Sequence, residues 1–208
     1  MIPLNPWGDR RRVRVGLLGG SFNPAHDGHR HVAETALGLL GLDQVWLLVS
    51  PQNPLKPSAG MAPLATRLRS AQRVVAGHPR LHATAIETDL GTRYTIDTLG
   101  KLVTRFPRAR FVWLMGADNL AQMARWARWT RIFQAVPVAI LARAPYSQKA
   151  LAAKAARRLS RFRLADRAAR GLVKRPLPAW VYLHTRLHPA SATAIRSQRP
   201  GFFEGANP

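Results

Sequence analysis

Six short apolar runs, separated by stretches with the spacing of helices, constrain this chain more than any other feature. The runs fall at residues 13–18, 45–49, 81–86, 111–115, 136–141 and 180–183. They are rich in Val, Leu, Ile and aromatic residues, and those at 45–49, 111–115, 136–141 and 180–183 show little apolar–polar alternation, as strands covered on both faces do. Helical patterns occupy residues 29–40, 64–75, 95–106 and 118–133. The alternation predicts an α/β protein with a single Rossmann-like, doubly wound parallel sheet and helices on both faces. Ligands of such sheets bind beyond the carboxyl ends of the strands, where the motifs of this chain also fall.

Composition narrows the function classes. A chain of 208 residues with 47% apolar content can bury one real core. It has no apolar run long enough to span a membrane. With zero cysteines, disulfides, thiolate metal sites and a cysteine nucleophile are excluded, which fits a cytoplasmic enzyme. Residues 1–12 lack periodicity and read as a loose extension ahead of a single domain over 13–208. The apolar run behind Arg10-Arg11-Arg12 is too short for an export signal. The net charge of +22 predicts a general attraction to polyanions. Arg supplies 27 of the 32 basic residues, however, and is spread along the whole chain beside abundant Ala. Coding-sequence bias produces that pattern, so no specific nucleic-acid site is inferred. Residues 143–175 carry eleven basic residues against one acid, Asp166. This segment reads as an amphipathic helix plus loop presenting a solvated face or a contact in a homo-oligomer.

The first apolar run leads into Gly19-Gly20, then Ser21-Phe22-Asn23-Pro24-Ala25, then His26-Asp27-Gly28-His29 at the opening of a helical pattern. Glycine suits a tight turn and lets a ligand come close to the main chain. A helix start carries unpaired N–H groups and a positive dipole end, and imidazoles can add donors to phosphate oxygens. Asp27 alone would be an ordinary helix cap, and the two histidines lack the i, i+4 spacing of a zinc pair, so no metal-binding residue is assigned. The whole sequence GGSFNPAHDGH is far more specific. It resembles the H-x-G-H nucleotidyltransferase superfamily, and within it the bacterial nicotinate-nucleotide adenylyltransferases, which carry G-G-[TS]-F-[DN]-P-x-H-x-G-H. The resemblance covers about residues 13–199. It implies that Gly19, Gly20, Ser21, Phe22, His26 and His29 bind ATP, with both histidines catalytic.

Other segments agree in order. Ser50-Pro51-Gln52-Asn53-Pro54-Leu55-Lys56 follows the second run. A loop lysine is usually just solvated, but the family's loop here contacts the acceptor's phosphate, which implies that role for Lys56; Leu55 replaces the family's histidine. Thr92-Arg93-Tyr94-Thr95-Ile96-Asp97-Thr98-Leu99 opens a helix, with Thr95 expected as its N-cap. The family's Y-T-x-x-T-L holds a pyridine carboxylate at this place, good chemistry for a helix N-terminus. Gly116-Ala117-Asp118-Asn119-Leu120 could also be a simple cap, while the resemblance places Asp118 on the adenosine ribose. Trp126, eight residues later, matches the indole that stacks on the nicotinate ring, and Trp129 reads as packing. Ser191-Ala192-Thr193-Ala194-Ile195-Arg196 matches S-[SA]-T-x-[IL]-R, which implies that Ser191, Thr193 and Arg196 hold ATP phosphates, Arg196 as a catalytic residue.

The resemblance therefore implies AMP transfer from ATP to nicotinate mononucleotide in NAD biosynthesis, with Mg²⁺ required. The alternatives are an adenylyltransferase for nicotinamide mononucleotide or phosphopantetheine, or, in a different class, a basic nucleic-acid-binding protein.

Overall fold

A computed structural model describes residues 11–52, 59–142, 147–185, 188 and 190–198. The strands are β1 (Arg14–Gly20), β2 (Gln44–Val49), β3 (Leu81–Thr84), β4 (Arg110–Gly116), β5 (Val138–Leu141), β6 (Arg163–Leu164) and β7 (Trp180–Leu183). They form one sheet in the order β3-β2-β1-β4-β5-β7-β6. Every neighbouring pair is parallel. The helices are α1 (Asp27–Leu39), α2 (Leu64–Val75), α3 (Ile86–Asp89), α4 (Thr95–Arg105), α5 (Ala117–Gln122), α6 (Trp129–Ala135), α7 (Ser147–Ala152), α8 (Lys154–Arg158) and α9 (Ala192–Gln198).

The near-continuous apolar strands are explained by two cores, one on each face. Val15 and Leu17 of β1, Trp46 and Leu48 of β2, and Trp113 and Met115 of β4 pack with Leu99, Leu102, Ile132 and Phe133 of α4 and α6. Leu18, Leu47 and Leu114, their neighbours along the same strands, face the other way onto Ala33, Ala36 and Leu37 of α1 and Ala71 and Val75 of α2. Period-2 strand geometry thus turns a uniformly apolar sequence into two layers of packing.

The chain runs outward from β1 to β3, then returns to β4 on β1's other side and proceeds to the opposite edge. The switch point therefore lies between the carboxyl ends of β1 and β4, the crevice where a doubly wound sheet takes its ligand.

Several boundaries differ from the sequence reading. The third strand ends at Thr84 and gives way to the short α3. The helix expected over 118–133 is broken into α5, a 3₁₀ turn at Met123–Arg125, and α6, with Arg128 left-handed at φ 48°. Within 143–175 the expected helix plus loop is α7, α8, two 3₁₀ segments and the two-residue edge strand β6. That makes the run at 180–183 the seventh strand.

Candidate active site

A cleft of about 1270 Å³ opens at the switch point. Gly19, Gly20, Ser21, Phe22, His26 and His29 line it from the β1 side, with Thr95 from α4. Asp118 and Trp126 follow from the segment after β4, and Ser191, Thr193 and Arg196 from the far end of the chain. These residues come together as expected. Lys56 lies outside the described residues.

The local geometry of the first motif differs from the expected tight glycine turn. Gly19 and Gly20 remain within β1, and the left-handed residue is Phe22, at φ 48°. Gly19 is required for space: a Cβ there would lie 2.3 Å from Cη2 of Trp113. Phe22 is buried, and its ring meets the His29 ring edge-on with centroids 4.8 Å apart. A bulky residue with positive φ is strained, so the surrounding contacts must hold it there.

His26, not Asp27, is the N-cap of α1, and it is only 7% exposed. Its backbone N–H donates to Nδ1 of His29 at 3.2 Å, and the two rings lie 3.9 Å apart at 37°. A neutral imidazole that accepts at Nδ1 carries its proton on Nε2. His29 is thus fixed as an Nε2–H donor without needing a positive charge. Gly28 leaves room for this pair, because a Cβ there would approach the His26 ring to 2.9 Å.

Arg196 closes the cleft from the other end of the sequence. Its guanidinium donates to the backbone carbonyl of Asn23 and, at 3.3 Å, to the hydroxyl of Thr193. The Asn23 side chain bridges onward, donating to the Gly60 carbonyl at 2.8 Å and accepting from Ala62 N–H at 3.2 Å. Ser21 Oγ and Trp113 Nε1 border the same cleft as buried polar atoms without a partner among the described residues, and a ligand commonly satisfies such groups.

Elsewhere on the cleft wall, Thr95 begins α4 without capping it; Tyr94 is the N-cap and makes no side-chain cap bond. The hydroxyl of Thr98 instead donates to Oε1 of Glu87 at 3.1 Å and pairs with Thr92 Oγ1 at 2.9 Å. Trp126 sits in the break between α5 and α6, where a non-helical backbone turns its indole edge-on to Trp113 with centroids 6.4 Å apart. Arg128 of the same break pairs with Asp97 of α4 at 2.7 Å, tying this segment to the helix start. Trp129 packs against Phe133.

Two residues of this region carried no role in the sequence reading. Arg67 of α2 is 2% exposed and points its guanidinium at four main-chain carbonyls. Burial pushes its pKa down, yet a guanidinium has ample margin to stay charged. Glu87 of α3 lines the cleft, and burial pushes its carboxyl up against the opposing effect of bonds from Thr98 and Ser50. Residue 67 falls on the apolar stripe Leu64, Leu68, Ala71, Val75, so an arginine inside an apolar helix face was its visible signal.

Residues 17–198 match the cytidylyltransferase-like family. A relative from Gluconacetobacter diazotrophicus is 52% identical over 197 residues, covering 95% of this chain and 91% of its own. One from Parvibaculum lavamentivorans is 52% identical over 186 residues, covering 89% and 92%. Both are described as "Probable nicotinate-nucleotide adenylyltransferase". The chain belongs to this family. Its fold is also that of Plasmodium falciparum nicotinic acid mononucleotide adenylyltransferase complexed with NaAD, with a TM-score of 0.63 at 14% identity, covering 89% of this chain and 83% of that one. Within the nicotinate-nucleotide adenylyltransferase fold of this chain, all the motifs named from sequence that lie in the described residues reach one cleft.

Among the described residues no group of three or more His, Cys, Asp or Glu side chains gathers that could hold a metal ion. No helix among them is long and apolar enough to cross a membrane.

Proposed function

We propose that the protein transfers AMP from ATP to nicotinate mononucleotide, releasing pyrophosphate and forming nicotinate adenine dinucleotide. The observation that carries this reading is the bond from Arg196 to the Asn23 carbonyl, which joins the S-A-T-A-I-R segment to the H-D-G-H turn across 173 residues. ATP phosphates lie in our reading between His26, His29, Ser191, Thr193 and Arg196, with the ribose on Asp118. The acceptor's pyridine ring lies on Trp126 with its carboxylate at the start of α4 near Thr95, and Lys56 takes its phosphate.

A phosphate oxygen of the mononucleotide attacks the α-phosphorus in line; the new P–O bond forms as the bond to pyrophosphate breaks. The attacking oxygen is already anionic, so no general base is required, and catalysis is positioning plus charge stabilisation. The Nε2–H of His29 donates to a non-bridging phosphate oxygen, while Arg196 supplies a permanent positive charge. Mg²⁺ is assigned to the ATP phosphates, which usually hold this ion together with water.

Measuring kcat/KM with ATP and either nicotinate or nicotinamide mononucleotide tests the reading. Free N–H groups at the start of α4 favour a carboxylate and leave an amide's NH₂ mismatched. The expected preference for nicotinate is on the order of 10²–10³-fold. Equal values would remove the nicotinate assignment; no dinucleotide from either acceptor would remove adenylyl transfer to pyridine nucleotides.

A further inference from the structure

Arg67 reaches both substrate-facing loops from beneath the cleft. Its Nη1 donates to the Ser21 carbonyl at 2.8 Å and to the Ser50 carbonyl at 2.6 Å, and its Nη2 to Pro51 at 2.8 Å. Its Nε donates to the Ala62 carbonyl at 2.8 Å. Ser21 belongs to the turn after β1 that carries the histidines, whereas Ser50 and Pro51 begin the loop after β2. Ser50 is held from its other side as well, because its hydroxyl bonds Glu87, which takes Thr98 of α4. Among the described residues no acid forms an ion pair with Arg67, and its charge meets the dipoles of four carbonyls.

A planar fork of five N–H groups can hold these four carbonyls at once, whereas an ammonium has only three donors. We propose that Arg67 is a positioning residue that locks the turn bearing the ATP-facing histidines to the loop serving the acceptor, so that the two substrates meet in line. This rests on the function proposed above. Each substrate still has its own contacts without Arg67; what is lost is the relative placement of the two loops. Small misplacement of reacting groups costs rate far more than it costs binding of either partner alone.

Arg67→Lys keeps the charge but cannot span four carbonyls. It should lower kcat by about 10–10²-fold. Its dissociation constant for ATP alone should stay within about threefold of wild type, as expected when a positioning group rather than a binding group is changed. Wild-type kcat in Arg67→Lys, or a loss of ATP affinity as large as the loss of kcat, would overturn the proposal. A second measurement needs no variant. In the wild-type protein, ATP alone should slow amide exchange at residues 21–23 and also at Ser50 and Gln52, which ATP does not touch in our reading. Protection confined to the first loop would overturn the lock. The exchange experiment requires no product, so a wild-type protein that binds ATP but makes no nicotinate adenine dinucleotide would fail the proposed function and leave this inference standing.

Discussion

Arg67 on one wing of the sheet and a basic flank on the other use arginine in opposite ways. On the wing formed by β3, β2 and β1, Arg67 is sealed under the cleft and spends its N–H groups on four loop carbonyls. On the wing formed by β5, β7 and β6, Arg157, Arg158, Arg161, Arg163, Arg167 and Arg170 are all exposed. Some of these lie over aromatic rings, Arg161 over Phe162 at 4.6 Å and Arg163 over Trp180 at 5.5 Å, which covers apolar surface without building a site. One buried guanidinium therefore organises more of this molecule than a whole basic flank. A net charge counts both kinds alike, which is why +22 says little about what the protein does.

The largest expected effect lies in the first wing. His29→Ala should lower kcat by about 10²–10³-fold, the usual loss of one donor aimed at developing charge. It also removes the acceptor of the His26 N–H, a cap worth about 1 kcal/mol, so Tm should fall by only about 2–4 °C. A variant with normal turnover would take His29 out of the mechanism.

A smaller effect is expected at Glu87. Its carboxyl is pushed up by burial, so the folded state holds a proton more tightly than the unfolded chain does. Stability from this group is present in acid and declines as pH rises from the ordinary carboxylate range through the raised value. Glu87→Gln keeps an acceptor for Thr98 and carries no charge to bury. At neutral pH its Tm should equal that of wild type or exceed it by about 2–4 °C, the shift produced by 1 kcal/mol in a domain of this size. The advantage should vanish in acid, where the wild-type side chain is neutral as well. Thermal melts that show a lower Tm for the variant at neutral pH would mean that the buried charge stabilises the fold.

The smallest effect belongs to the second wing. Replacing Arg157, Arg158 and Arg167 together with Gln should leave kcat and both KM values within about twofold of wild type, since exposed substitutions away from a site are usually near neutral. Elution from a heparin column should move to lower salt. A marked loss of adenylyl transfer would make the flank part of the site and dissolve the contrast between the wings.

What the sequence made legible follows from this contrast. Motifs at fixed spacing, such as His26 with His29 and Asp118 with Trp126, were visible because they match a family's pattern in both residue type and interval. The sheet was visible because strands covered on both faces cannot be polar. The break at 126–128 was not, since Arg-Trp-Ala-Arg-Trp contains neither Gly nor Pro; tertiary packing and the Asp97–Arg128 pair override a helical period there. The edge strand β6 is too short to show a period. Arg67 and Glu87 act on partners that lie 46 and 11 residues away, Ser21 and Thr98, which no local pattern reports.

The space claimed at Gly19 has a consequence for how this cleft can vary. Any side chain at position 19 would need the Trp113 ring to withdraw, and the Trp113 edge is what Trp126 leans on. Gly19, Trp113 and Trp126 therefore exchange volume as a set. A larger residue at 19 demands a smaller one at 113, which in turn unseats the indole at the cleft wall. Redesign of the cleft wall at Trp126 therefore has to begin in the strands, with Gly19 and Trp113.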